Sequence, residues 1–293
     1  MIAYNQCPVC KSNSFKTFLV CKDYTVSNQN FNIVSCTACS FKFTNPRPED
    51  EKLGNYYKSE DYISHSNTNK GLVSKLYKFI RNYTLKNKLN IISKFVSRGT
   101  LLDYGCGTGM FLNVCQKAGW NSFGIEPDEG ARNLASEMSL KLFSDKKQIQ
   151  HLTNHTFDVI TLWHVLEHVT DLRETLSFFN ETLSKNGVLI IALPNYTSFD
   201  ANYYKEFWAA YDVPRHLYHF SFETIQKLLS QFEFKLIDTL PMKFDSFYVS
   251  MLSEKYKWGS VNYLNAFFTG LKSNLRAKQA KDYSSTIYVF RKN

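Results

Sequence analysis

Residues Leu101 to Leu112, reading Leu-Leu-Asp-Tyr-Gly-Cys-Gly-Thr-Gly-Met-Phe-Leu, constrain the fold of this chain more than any other stretch. An apolar run ends on Asp103, breaks into Gly105, Gly107 and Gly109, and resumes with helix-like spacing at Met110. A buried strand turning sharply into a helix needs that grammar, because glycine accepts a positive φ and lets a ligand approach the bare backbone. A glycine-rich turn also joins strands to helices for purely structural reasons, so its context must decide its use.

That context is an alternation of strands and helices. Thr100–Tyr104 reads as the first strand and residues 110–118 as a helix. A strand over 121–126 and a helix over 129–138 follow, then a short strand at Lys141–Phe143. Strands are expected over 157–162, 188–193, 234–240 and 285–290, with helices over 172–183 and from an N-cap at Ser221 through Gln231. The pattern predicts an α/β fold with a doubly wound, mostly parallel sheet and right-handed crossovers. Residues 195–220 and 241–283 stand outside the alternation as insertions, the second rich in aromatic side chains. Insertions of that length are expected to act as substrate lids.

Three segments are expected: a zinc ribbon over 1–50, a helical linker or cap over 51–98, and the α/β domain over 99–293. In the first, Cys7-Pro-Val-Cys10 and Cys36-Thr-Ala-Cys39 are two knuckles 25 residues apart, enough to offer four thiolates to a tetrahedral Zn²⁺. A closed Cys₄ site has no open position, so its expected role is structural. Phe15, Phe18, Phe31, Phe41 and Phe43 would pack around it, and Cys21 would be a small buried hydrophobe. Residues 71–97 show amphipathic helical spacing with the basic residues outward. From Lys70 to Arg98 there are eight Lys or Arg residues and no acid, which concentrates much of the net charge of +9. Such a patch attracts an anionic small molecule, a nucleic acid or a membrane surface, or is merely solvated.

Hydrophobic content of 44% and charged content of 21% are those of a globular protein. The longest apolar run, Val188–Leu193, cannot span a bilayer. Residues 1–20 carry cysteines and a proline where a signal peptide needs an apolar block. The expectation is a cytoplasmic protein whose seven cysteines are thiols or metal ligands.

In an open parallel sheet, ligands bind outside the carboxyl ends of the strands. Glu126 ends the second strand about twenty residues past the glycines, where a carboxylate can accept both ribose hydroxyls. The dinucleotide fingerprint would need glycine at Met110, so the loop favours S-adenosylmethionine over NAD. At this point residues 101–109, 124–128, 157–169 and 183–195 resemble the successive motifs of class I S-adenosylmethionine-dependent methyltransferases. The resemblance implies a Rossmann-like methyltransferase sheet, with Asp103, Gly105, Cys106, Gly107 and Gly109 at the methionine end of the cofactor. Glu126 would hold the ribose, Pro127 would abut the adenine and Trp163 would stand beside the cofactor, with Ser144 or Asp145 as adenine candidates. The cysteines, Asn45-Pro-Arg-Pro48 and the stretch Asp212–Phe220 look like a bacterial subgroup carrying a zinc ribbon. That subgroup is similar to deoxysugar C-methyltransferases and, more distantly, to ubiquinone-type O-methyltransferases.

Chemistry is expected just after the fourth main strand, in Trp163-His-Val-Leu-Glu-His-Val169. On a helix His164, Glu167 and His168 would share one face. They could be a general base with its orienting acid. With His216 or His219 they could instead hold a divalent ion such as Mg²⁺, a reading weakened by His164 standing where metal-using relatives carry a second Glu. Or Glu167 and His168 could simply pin the loop. Arg215 and His216 read as anion or substrate contacts, or Arg215 as a brace. Tyr56, Tyr57 and Tyr62 are candidates to close over the cofactor. The expected function is methylation, at carbon or oxygen, of a small or conjugated anionic metabolite such as a nucleotide-linked sugar. The alternatives are an RNA acceptor met by the ribbon and basic helix, or O-methylation of a quinone-like or lipid-like aromatic.

Overall fold

The computed structural model describes residues 1–57, 72–136, 138–150 and 156–292. Tyr62 and Lys70 lie outside the described residues, as do the side chains of Lys75 and Lys78.

The chain begins with three antiparallel strands, β1 (Phe15–Lys22), β2 (Asn30–Cys36) and β3 (Lys42–Thr44). Both cysteine knuckles close identically: the backbone N–H of Lys11 bonds to the Cys7 carbonyl, and that of Ser40 to the Cys36 carbonyl. Lys11 and Ser40 both take a left-handed φ. A short helix at Asp50–Leu53 and one long helix at Leu72–Phe95 lead to the main sheet.

That sheet contains β4 (Thr100–Tyr104), β5 (Asn121–Ile125), β6 (Lys141–Phe143), β7 (Phe157–Trp163) and β8 (Leu183–Pro194), followed by β10 (Phe234–Pro241) and β11 (Ser285–Lys292). Its order is β10-β11-β8-β7-β4-β5-β6. The five strands from β8 to β6 run parallel, and β11 is antiparallel to both its neighbours. The doubly wound, mostly parallel architecture is as expected. Its central strands read as continuous apolar runs because both faces are covered. Leu102, Ile160, Leu189 and Ile191 join one core, while Leu101, Val159, Val188 and Ile190 join the other.

Several element ends differ from expectation. The helix after β5 is Glu129–Ser136. The extended chain of β8 begins at Leu183, straight from the preceding helix Leu172–Thr182, rather than beyond Gly187. The helix Phe222–Ser230 starts at Ser221 with a capping box to Thr224.

The two insertions have different fates. Residues 195–220, expected as a lid, are largely buried and join the two sheets: β9 (Tyr218–His219) pairs with β3, giving the ribbon sheet a fourth strand. Their Trp208, Tyr211 and Val213 share a core with Cys21, Phe31 and Ile33 of the ribbon. Residues 241–283 form two helices, Asp245–Trp258 and Tyr263–Ala280, packed against each other. Phe41 and Phe43 pack near the knuckles as expected; Phe31 faces the insertion, and Phe18 is exposed. Cys21 is buried, and burial pushes its thiol up to about 12, so it stays an inert hydrophobe.

Candidate functional site

The glycine loop leaves the carboxyl end of β4 and is anchored to β5: the N–H groups of Gly105 and Cys106 both donate to the Ile125 carbonyl, at 2.8 and 3.0 Å. Gly105 and Gly107 have φ of 74° and 54°. A Cβ on Gly105 would strike Val165, whereas one on Gly107 would meet nothing within 4 Å among the described residues. Gly107 therefore faces open space that a ligand can fill, with a backbone conformation that a side chain would oppose.

Glu126 stands across that space. Its Oε2 accepts the Gly107 N–H at 2.8 Å and its Oε1 accepts the Asp128 N–H at 3.0 Å. Asp103 is buried and accepts the Thr161 hydroxyl at 2.6 Å. Burial raises its carboxyl to about 6, against the pull of Thr161 and Lys88. Burial also pushes the Cys106 thiol up, so it lines the loop as a neutral group. Gly105, Cys106, Gly107 and Glu126 thus flank one crevice at the carboxyl ends of β4 and β5, with Asp103 buried near the end of β4 and Gly109 facing Leu140 and Ala135. Asp145 does something else: its carboxylate accepts the Gln148 N–H and caps the helix Lys146–Gln150.

A cavity of about 280 Å³ lies between the helix Leu72–Phe95 and residues of β7, β10 and β11. Lys88, Lys94, Trp163, Phe244 and Asp245 are among its lining residues. Trp163 therefore faces this cavity, packing edge-on to Phe111. Lys88 corrects the expectation that the basic residues of its helix all point outward. Its ammonium sits 4.4 Å from the centre of the Trp163 ring. Burial lowers its pKa, while the charges of Asp103 and Asp245 oppose that. It lines the cavity, and nothing distinguished it in sequence from seven other basic residues.

The loop after β7 turns through His164, a non-glycine residue with φ of 58°. Such a conformation is strained and belongs to sites that over-determine it. His164 Nε2 lies 3.0 Å from Asp245 Oδ2, and Nδ1 lies 3.5 Å from Glu167 Oε1. Burial alone would lower its pKa, but the two carboxylates raise it to about 10. The pairing with both carboxylates favours the cationic form of His164, in which it holds them in place. Asp245, which the sequence reading missed, comes from the second insertion.

Behind His164, Glu167 is buried and neither carboxylate oxygen has a hydrogen-bond partner among the described residues. One ring nitrogen each of His168 and His216 lies within 4.8 Å of a Glu167 oxygen and of the other. His168 Nδ1 is 3.0 Å from the Arg215 carbonyl and from the Tyr57 hydroxyl; His216 Nδ1 is 2.9 Å from the Ala210 carbonyl. A neutral ring that donates Nδ1–H to a carbonyl keeps Nε2 as an acceptor, the arrangement that orients metal-binding imidazoles. A buried carboxylate paired, among the described residues, only with His164 at 3.5 Å fits a divalent ion between them. Arg215 is a brace and not an anion contact: it is buried, with Nε and Nη2 donating to Asp212 at 2.9 and 2.6 Å and Nη2 to Asp23 at 3.2 Å. Its Nη1 donates to the carbonyl of Tyr56.

Cys7 and Cys39 sulfurs are 3.6 Å apart, those of Cys10 and Cys36 are 3.5 Å apart, and all four gather within 4.8 Å. Burial raises Cys7 to about 11, whereas N–H groups of the second knuckle outweigh burial at Cys36 and lower it to about 7. The donor set fits a tetrathiolate ion.

A family described as a methyltransferase domain matches residues 77–239, more than half of the chain, and the chain belongs to it. Among curated proteins, it is similar to a ubiquinone biosynthesis O-methyltransferase of Actinobacillus pleuropneumoniae, 35% identical over 33% of this chain and 46% of that protein. It also resembles an uncharacterized methyltransferase of Bacillus mycoides, 28% identical over 36% of this chain and 51% of that one. The chain thus spans about half the length of the curated relatives it matches. Among solved structures it shares its fold with a magnesium protoporphyrin IX methyltransferase of Synechocystis with bound SAH, at TM-score 0.54 and 14% identity, covering 84% of this chain and all of that one. An S-adenosylmethionine-dependent methyltransferase of Archaeoglobus fulgidus gives TM-score 0.50 at 19% identity, covering 72% and 94%.

Proposed function

We propose that this chain methylates a small or conjugated anionic metabolite, with S-adenosylmethionine in the glycine crevice and the acceptor in the cavity. The observation that carries this reading is an open glycine turn closed by Glu126, together with a separate cavity walled by lysines and aromatic rings. Asp103 and the glycine loop would hold the methionine end, Glu126 the ribose, and Pro127 the adenine. Bound there, S-adenosylmethionine would supply an electrophilic methyl group on sulfur.

The remaining work falls to this chain's own side chains. Lys88, Lys94 and Lys243 give the cavity a positive wall for an anionic substituent, and Trp163 and Phe244 offer flat faces to a ring. Asp245 faces the cavity and is paired with His164, so an acceptor hydroxyl can donate to its carboxylate. A weak base is adequate, because an oxygen that has accepted a methyl group is strongly acidic. His164, held cationic, keeps that carboxylate in place.

A nucleotide-linked sugar satisfies the positive wall and the flat faces. A phenolic quinone precursor is the second reading, favoured by the apolar patch of Leu240, Met242 and Ile287 on the same cavity. Glu167, His168 and His216 are the place for a divalent ion, and Cys7, Cys10, Cys36 and Cys39 for a structural Zn²⁺.

The test is release of S-adenosylhomocysteine by purified protein offered sugar nucleotides and catechol-type phenols, with and without Mg²⁺ or Mn²⁺. Turnover on one class, lost in Asp245→Asn, supports the reading. Cofactor binding with no turnover on any acceptor would contradict it.

A further inference from the structure

The helix Tyr263–Ala280 is packed inside out. Its inner stripe is Ala266, Thr269, Gly270, Ser273 and Ala277, small residues that are all buried. Against it lies Asp245–Trp258, whose buried positions include Ser246, Ser250 and Ser253. The two backbones approach so closely that a Cβ on Gly270 would fall 3.0 Å from the Phe247 backbone nitrogen. Hydrogen bonds complete this inner seam: Ser246 Oγ donates to the Gly270 carbonyl at 3.1 Å, and Asn265 Nδ2 to Glu254 Oε1 at 2.6 Å. Ser273 Oγ ties the helix to Asp200 at 2.6 Å.

The large apolar side chains point the other way. Leu264, Phe268, Leu271 and Leu275, spaced four, three and four residues apart, form one stripe with 73%, 61%, 37% and 53% of their surface exposed. Trp258, Tyr263 and Phe267 extend it and are also exposed. An amphipathic helix of a globular domain normally turns such a stripe to the core. An apolar patch of this extent, left in water, marks an interaction surface.

Charge selects the occupant. From Lys255 to Lys281 the sequence has Lys255, Lys257, Lys272, Arg276, Lys278 and Lys281 and no Asp or Glu. Glu254, just before, is buried. Lys272 and Arg276 adjoin the stripe directly, and both lie over the ring of Phe199. A second copy seated face to face would bring two sets of like charges together without an acid to offset them. An anionic lipid surface takes both halves of the pattern: leucines and phenylalanines enter the headgroup boundary, Trp and Tyr sit at its polar level, and Lys and Arg meet lipid phosphates.

We propose that this helical pair docks the protein on an anionic membrane surface, lying in the interface without crossing it. No helix among the described residues is long and apolar enough to cross. Phe244 and Asp245, which open the first helix, also line the acceptor cavity, so docking sets that cavity beside the bilayer. The proposal stands on the exposed stripe and its charge, and does not depend on which acceptor is methylated.

The experiment is flotation of the full chain with vesicles of phosphatidylcholine alone, or of phosphatidylcholine with phosphatidylglycerol, at low and high salt. Wild type should float with the anionic vesicles, weakly with the neutral ones, and less at high salt. The double variant Phe268→Ser with Leu271→Ser removes only exposed side chains and should keep its thermal transition while losing at least about tenfold in vesicle affinity. Lys272→Gln with Arg276→Gln should weaken binding only to anionic vesicles. Failure of the wild type to float, or undiminished flotation of the serine variant, would overturn the proposal. So would a concentration-dependent dimer in sedimentation velocity that the serine variant breaks, because a second copy would then cover the stripe.

Discussion

The cofactor crevice and the junction behind it share the loop after β7, yet they are built from different materials. The crevice is made of backbone: two N–H groups from the glycine loop reach the end of β5, and Glu126 closes back on Gly107. The junction is made of buried charge: Arg215 from residues 195–220 spans Asp212 and Asp23, joining the insertion to the ribbon. Local backbone geometry can be rebuilt around a ligand at modest cost. A buried ion network holds only while every member is present.

The largest difference should come from breaking the junction. Arg215→Ala leaves Asp23 and Asp212 without their cation and should cost about 3–5 kcal/mol in urea-induced unfolding. An Arg215→Lys variant, with one ammonium for a forked guanidinium, should recover only part of it. Disturbing the crevice should leave stability nearly intact and move binding instead. Glu126→Gln loses charge-assisted acceptance at the ribose position and should weaken S-adenosylmethionine binding by about 1.5–3 kcal/mol, or roughly tenfold to a hundredfold.

The two regions should also separate by pH. His219, in the junction, is buried and held neutral, with its pKa lowered to about 3 from 6.5. An unfolded chain protonates this residue below about 6.5 while the folded one does not, so stability should fall as pH drops from about 6.5 toward 3. The slope from this group reaches at most about 1.4 kcal/mol per pH unit, and His219→Gln should flatten it. Asp103, in the crevice, titrates in the fold near 6. If its carboxylate holds the cofactor's amino group, affinity should weaken as pH falls through about 6, approaching tenfold per unit. Titration calorimetry across that range checks this smallest effect.

The same contrast explains what the sequence disclosed. The glycine loop, Glu126 and the strand alternation were legible because each is a short-range pattern: a turn needs glycine where it turns, and a strand covered on both faces must be apolar throughout. The four cysteines were legible by spacing, and the structure brings their sulfurs together. Arg215 was not resolved between anion contact and brace, since its partner Asp23 is 192 residues away. Asp245 went unseen for a similar reason: it meets His164 only through tertiary packing. Lys88 was hidden among like residues on a helix read as uniformly basic outside. The inward face of Tyr263–Ala280 is made of small residues, so the aromatic count of that insertion gave no sign of which side is buried.

The central claim is that the space in front of Gly107 is a cofactor site, and isothermal titration of S-adenosylmethionine into wild type and Gly107→Val tests it most directly. A valine there meets no atom of the described residues within 4 Å of its Cβ, so beyond a backbone cost of about 1–2 kcal/mol it should disturb chiefly a ligand. The account predicts saturable one-to-one binding to wild type and none detectable to the folded variant. A wild type that binds nothing, or a variant that binds equally well, would contradict it.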